Sequence, residues 1–146
     1  MDKSDHAVQQ FQGGLNCAQA VFGEFAESHG LDWELAVKVA AGFGGGMGLG
    51  DTCGAVAGGI MAIGLSSAPS NPQDVLAKAR TGELVQSFLG EFTARHGSLM
   101  CCDLLDCGPD FPEALREAKA LGFMETKCAV FVRDAVQILD GLLWGG

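Results

Sequence analysis

Gly42-Phe43-Gly44-Gly45-Gly46-Met47-Gly48-Leu49-Gly50-Asp51-Thr52-Cys53-Gly54-Ala55-Val56-Ala57-Gly58-Gly59-Ile60-Met61-Ala62-Ile63-Gly64-Leu65 is the stretch on which the fold turns. Six of the nine residues from Gly42 to Gly50 are glycine. Such a run permits positive φ and close approach of the backbone to other atoms. From Cys53 the pattern changes. The 13 residues to Leu65 carry no charge, and small residues recur four apart, as Gly54/Gly58/Ala62 and Ala55/Gly59. This predicts a helix capped by Asp51 or Thr52 and, having no polar face, buried on all sides. Each interior glycine costs roughly 1 kcal/mol relative to alanine, which makes sense if neighbouring backbones pack very near.

Helical signals extend outward in both directions. Towards the N-terminus, a short helix is expected from about Asp5 to Gln12, with Val8, Phe11 and Leu15 at helical spacing and Gly13-Gly14 as its stop. Asn16 caps a second helix, with Gln19 where a capping box wants an amide. Cys17, Val21 and Phe25 share one face of it, and His29-Gly30 ends it. Asp32 caps a third. Towards the C-terminus, Asn71-Pro72 opens a long helix whose core face is traced by Leu76, Ala79, Val85, Phe88, Leu89 and Phe92, and Gly97 closes it. A short turn is expected over Cys101 to Asp106, ended by Gly108-Pro109, and a small helix from Pro112 to Lys119 stopped by Gly122. A last helix runs from about Glu125 to Leu143, with the seam Cys128, Phe131, Ala135, Ile138, Leu142. Strand and hairpin signals are lacking. The expectation is an all-α, single-domain helical bundle over residues 1–146, of about six to eight helices, with a Gly-rich loop before the central helix.

Bulk properties narrow the function. At 48% hydrophobic and 18% charged residues the composition opposes disorder. A net charge of −9 opposes nucleic acid and anionic membranes as partners, since both need a basic footprint. The Cys53–Leu65 stretch is too short to span a bilayer, which takes roughly 20 residues. The opening Met1-Asp2-Lys3-Ser4-Asp5-His6 is polar and lacks the apolar core of a secretory leader, so a cytoplasmic location is expected. Six cysteines in such a chain are reactive, metal-binding or simply buried rather than a disulfide framework.

Four of them occupy meaningful places. Cys17 and Cys53 are read as first residues after helix caps, where the helix dipole and free N–H groups favour thiolate. Cys101 falls near a helix start, and Cys128 lies on the seam of the last helix. The plain alternative is that free cysteine packs as a small hydrophobe. Spacing does not decide, because there is no C-x-x-C and the separations match neither a zinc ribbon nor a thioredoxin signature. The glycine run lacks the Lys-Ser/Thr ending of a P-loop and has no G-x-G-x-x-G. His29 and His96 sit at helix ends, where imidazole complements the dipole. Asp103 and Asp106 read as a solvated face, and the methionines as packing.

Taken together, the cysteine blocks resemble the C_GCAxxG_C_C family, which is named for redox activity attributed to four shared cysteines. Cys53-Gly54-Ala55-Val56-Ala57-Gly58 reads as its C-G-A-x-x-G motif. Asn16-Cys17-Ala18-Gln19-Ala20-Val21 is similar to its first cysteine helix, Gly97 through Leu105 to its third block, and Lys127-Cys128 to its fourth. The resemblance implies Cys17, Cys53, Cys101 and Cys128 as site residues, with Cys102 a rival for the third place and Cys107 outside the pattern.

Three functions remain open. The first is a thiol-based redox protein, a thiol–disulfide oxidoreductase or electron carrier, with Cys53 as the attacking thiolate beside the Gly loop. The second is a non-enzymatic module holding Zn²⁺ or a [2Fe–2S] cluster on the four cysteines, with Gly54, Ala55 and Gly58 letting the backbone approach the cofactor. The third is a helical interaction protein with structural cysteines. The redox partner is unidentified, and the small-residue central helix suits a homodimer face.

Overall fold

The computed structural model describes residues 2–107, 113–120 and 122–144. Among the described residues the protein has eight α-helices and no strand, so the all-α class expected from the sequence holds. No helix among them is long and apolar enough to cross a membrane.

α1 (Lys3–Gln12) starts two residues before the expected Asp5, because Asp2 accepts a hydrogen bond from the Asp5 N–H and so adds a polar first turn. α2 (Cys17–Ala26) has the full capping box, with Asn16 Oδ1 and Gln19 Oε1 each accepting from the other residue's backbone N–H at 2.9 Å. A 3₁₀ turn over Glu27–His29 extends it, and Gly30 ends the run at φ 85°. Asp32 caps α3 (Trp33–Ala40).

The glycine segment then forms a 3₁₀ turn (Ala41–Phe43) and one wide turn (Gly46–Gly50). Its backbone is left-handed at Gly45, Gly46, Met47, Gly48 and Gly50. α4 (Gly54–Ser67) follows, and Cys53 itself occupies the cap position. This corrects the reading of Asp51 or Thr52 as the cap. α4 exposes no residue, although Ala57, Ile60, Met61 and Gly64 are only half-buried.

α5 (Val75–His96) is capped by Asp74, whose side chain accepts from the Ala77 N–H, and not by Asn71. Asn71 instead closes the preceding turn through its Oδ1 and carbonyl. The expected core face of α5 fails at its start. Leu76 is 85% exposed and Ala79 is exposed, whereas Phe88 and Phe92 are buried. The first turn of α5 leaves both Val75 and Leu76 largely in solvent. α6 (Cys101–Leu104), α7 (Glu113–Ala120) and α8 (Phe123–Trp144) complete the chain. The breaks expected at Gly108-Pro109 and Pro112 lie outside the described residues.

α2 packs along α4 and α1 along α8, and α8 also meets α2, α4 and α5. The buried face of α8 is wider than its predicted seam, adding Val132, Val136 and Leu139 to Cys128, Phe131, Ala135 and Ile138. The glycines of α4 explain its closeness to α2. A Cβ on Gly58 would stand 2.7 Å from the Ala18 carbonyl oxygen, and one on Gly54 would stand 3.1 Å from Cys17 Cβ. Behind them the Phe88 ring fills the space over Gly59. The N-terminal ends of α2 and α4 therefore meet almost backbone to backbone, and each carries a cysteine.

Candidate functional site

Cys17 is the first residue of α2, Cys53 the cap of α4, Cys101 the first residue of α6, and Cys128 lies in the second turn of α8. Two local devices bring these elements together. The first is the glycine contact between α2 and α4. The second is a backbone clamp that the sequence did not signal. The Cys53 N–H donates to the Leu99 carbonyl at 2.7 Å, and the Cys101 N–H donates to the Asp51 carbonyl at 2.7 Å. Thr52 and Met100 thus face each other as an isolated antiparallel bridge, and the α4 and α6 cysteines are held side by side.

All four predicted cysteines line one cavity, together with Gly45, Gly54, Leu104, Leu105 and Phe131. The cavity holds about 10 Å³, the room of about one water. Each sulfur-bearing residue is buried, at 3% to 7% exposure. Of the two rivals for the third place, Cys101 lines the cavity and the half-buried Cys102 does not. Phe131 was already legible as the seam residue one turn after Cys128. Gly45, Leu104 and Leu105 carry no chemical signal and were not found. Phe131 in turn packs edge-on against His96, whose Nε2 lies 2.8 Å from Asp134 Oδ2.

Electrostatics distinguishes the thiols. Each of Cys17 and Cys128 is shifted most by the other's thiol. The Cys17 S–H stabilises a Cys128 thiolate, so Cys128 is lowered, with help from Lys127 and against its own burial. The same interaction, then burial and then the neighbouring thiols push Cys17 well up. The pair therefore releases its first proton more easily than a lone thiol would and holds the second more tightly. Cys53 behaves contrary to expectation. The Ala55 and Val56 N–H groups favour its thiolate, but desolvation outweighs them and raises it to about 11. Cys101 is pushed to about 12 by burial and by the surrounding thiols. Cys128 is the cavity thiol shifted towards thiolate, whereas burial works against the attacking role expected of Cys53. Its helix start was read rightly as favourable, but its burial was not visible in the sequence.

Four cysteines are the right donors for Zn²⁺ or a [2Fe–2S] cluster. Among the described residues, however, no group of three or more candidate ligands converges as a metal ion requires. The arrangement as folded does not fit a single bound metal ion. Gly54 lines the cavity; Ala55 does not, although its N–H acts on Cys53, and Gly58 lies against the Ala18 backbone.

A family model described as "Putative redox-active protein (C_GCAxxG_C_C)" matches residues 15–142. No curated protein and no solved structure gives a match.

Proposed function

Because the chain belongs to the C_GCAxxG_C_C family and gathers four cysteines around one buried cavity, two of them strongly influencing one another, we propose that it works by thiol–disulfide exchange, with Cys17 and Cys128 as the exchanging couple. The single observation that carries this reading is that Cys17 and Cys128 line the same small buried cavity. Two thiols so enclosed, one of them shifted towards thiolate by the other, are what such exchange needs.

In the oxidising direction the Cys128 thiolate attacks one sulfur of a partner disulfide and expels a thiolate. Cys17, losing its proton, then attacks the Cys128 sulfur of the mixed disulfide and expels the second partner thiolate. The protein's two thiols have become one disulfide, and the partner has gained two electrons and the two protons. Cys53 and Cys101, held protonated by burial, keep the cavity free of further negative charge and stand beside the couple as alternative resolving thiols. The Gly45 wall belongs to the glycine turn, the segment whose backbone most easily rearranges to admit a partner. This chemistry suits a reducing compartment such as the cytoplasm.

The test is a thiol count on unfolded samples before and after exposure of folded protein to a small disulfide, with peptide mapping by mass spectrometry. A Cys17–Cys128 cross-link, lost in Cys17→Ser and Cys128→Ser and reversed by dithiol reductant, is the expected result. If all four cavity thiols survive prolonged exposure, the cysteines are structural and the reading is wrong.

A further inference from the structure

The exchange proposed above has a difficulty of access, since its thiols are almost entirely buried. Two further cysteines lie outside the cavity, and neither is used by that reading. Cys102 and Cys107 are both partly exposed. The Cys107 N–H donates to the Cys102 carbonyl at 2.9 Å, closing one turn of chain and bringing the two residues together. The Cys102 Sγ also lies 3.1 Å from the Cys107 carbonyl oxygen, so its side chain is directed at Cys107. Two residues joined in this way have about the backbone spacing that a disulfide bridges. Cys102 follows Cys101 in the chain, and Cys101 lines the inner cavity.

We propose that Cys102 and Cys107 form a second dithiol–disulfide couple at the surface, which exchanges with small organic disulfides and passes the oxidation inward through Cys101. Cys107 is pushed up first by burial and then by Cys102, and Cys101 responds to both. The outer step is balanced as follows. One thiolate of the couple attacks the small disulfide and releases one thiol, and the other thiol closes the Cys102–Cys107 bond and releases the second. The small disulfide takes up two electrons and two protons. In the inward step Cys101, passing its proton to the outer thiolate that it displaces, attacks the outer disulfide, and Cys128 then attacks the Cys101 sulfur and expels the second outer thiolate. The outer couple is thereby returned to its dithiol form, and the disulfide now lies in the cavity, where Cys17 resolves it onto Cys128. The inward half rests on the Cys17–Cys128 reading, and the outer half does not.

The experiment uses the full chain with bis(2-hydroxyethyl) disulfide as the probe, acid quenching and peptide mapping over time. A Cys102–Cys107 cross-link is expected to appear before Cys17–Cys128. Cys107→Ser is expected to slow inner cross-linking by about tenfold, as loss of an accessible exchanging thiol should. The outer cross-link is expected unchanged in a Cys17→Ser/Cys128→Ser variant, which isolates it from the inner site. Failure to find it there overturns the proposal whatever the inner thiols do. Inner cross-linking at full rate in Cys107→Ser also overturns it, and would leave the Cys17–Cys128 reading standing.

Discussion

Replacing Gly58 by alanine should destabilise the protein, although alanine is much the better helix former. Gly58 lies inside α4, where the exchange should by itself gain roughly 1 kcal/mol. The added methyl would stand 2.7 Å from the Ala18 carbonyl oxygen and 3.1 Å from Ala18 Cα. Both are backbone atoms of α2, so neither can swing aside as a long side chain would. The helices must part by several tenths of an ångström, and overpacking of that kind costs about 1–3 kcal/mol. The helix gain offsets part of this, leaving a net loss of up to about 2 kcal/mol. Gly82 provides the control. It lies within α5 and a Cβ there would meet nothing within 4 Å, so Gly82→Ala should stabilise by about 0.5–1 kcal/mol. Urea unfolding followed by far-ultraviolet circular dichroism should therefore move the two midpoints in opposite directions. Stability of Gly58→Ala equal to that of Gly82→Ala would show that α2 and α4 do not meet through this glycine, and the argument that places Cys17 beside Cys53 would fall with it.

Other consequences are equally open to measurement. Cys53 is raised from 9.0 to about 11 in the folded protein, so the unfolded chain releases this proton first. Its contribution is intact below about pH 9 and is lost as pH rises towards 11, costing on the order of 2 kcal/mol; urea midpoints should fall across that window, and less so in Cys53→Ala. Removing the Cys17 S–H in Cys17→Ala takes away the main influence that lowers Cys128, so the first thiolate absorbance step in an alkaline titration should move to higher pH; an unmoved step would count against the coupling of the two thiols. Met47 sits at φ 61° and is 43% exposed, a strained conformation with little packing to justify it. Met47→Gly should therefore stabilise by about 0.5–1 kcal/mol, whereas Met47→Ala should not, as thermal unfolding of the two variants can decide.

Much of this organisation was legible in the residues themselves. The Asn16/Gln19 box and the Asp32 cap are local chemistry, and local chemistry reads well from sequence. The small-residue spacing of α4 announced a close neighbour, and α2 proved to be that neighbour. The cysteines could be assembled only because four motifs stood in order. What failed was non-local. Leu76 has the spacing of a core residue but no partner to bury it, and periodicity carries no information about where a neighbouring helix ends. The thiolate expected at Cys53 followed correctly from the helix terminus, but desolvation depends on everything packed around the sulfur and no motif states it. The clamp between residues 51–53 and 99–101 was invisible because it consists wholly of peptide groups, which every residue but proline supplies alike.

That last point bears on how this chain could vary over evolutionary time. Two of the four cavity cysteines owe their proximity to carbonyls and amides, so mutation at Thr52, Leu99 or Met100 leaves the geometry alone as long as proline is avoided where an amide must donate. A lineage could rewrite the surface around the sulfurs, altering charge, bulk and partner preference, without disturbing the distance between them. The place where chemistry is held most rigidly is thus also where side-chain identity is least constrained.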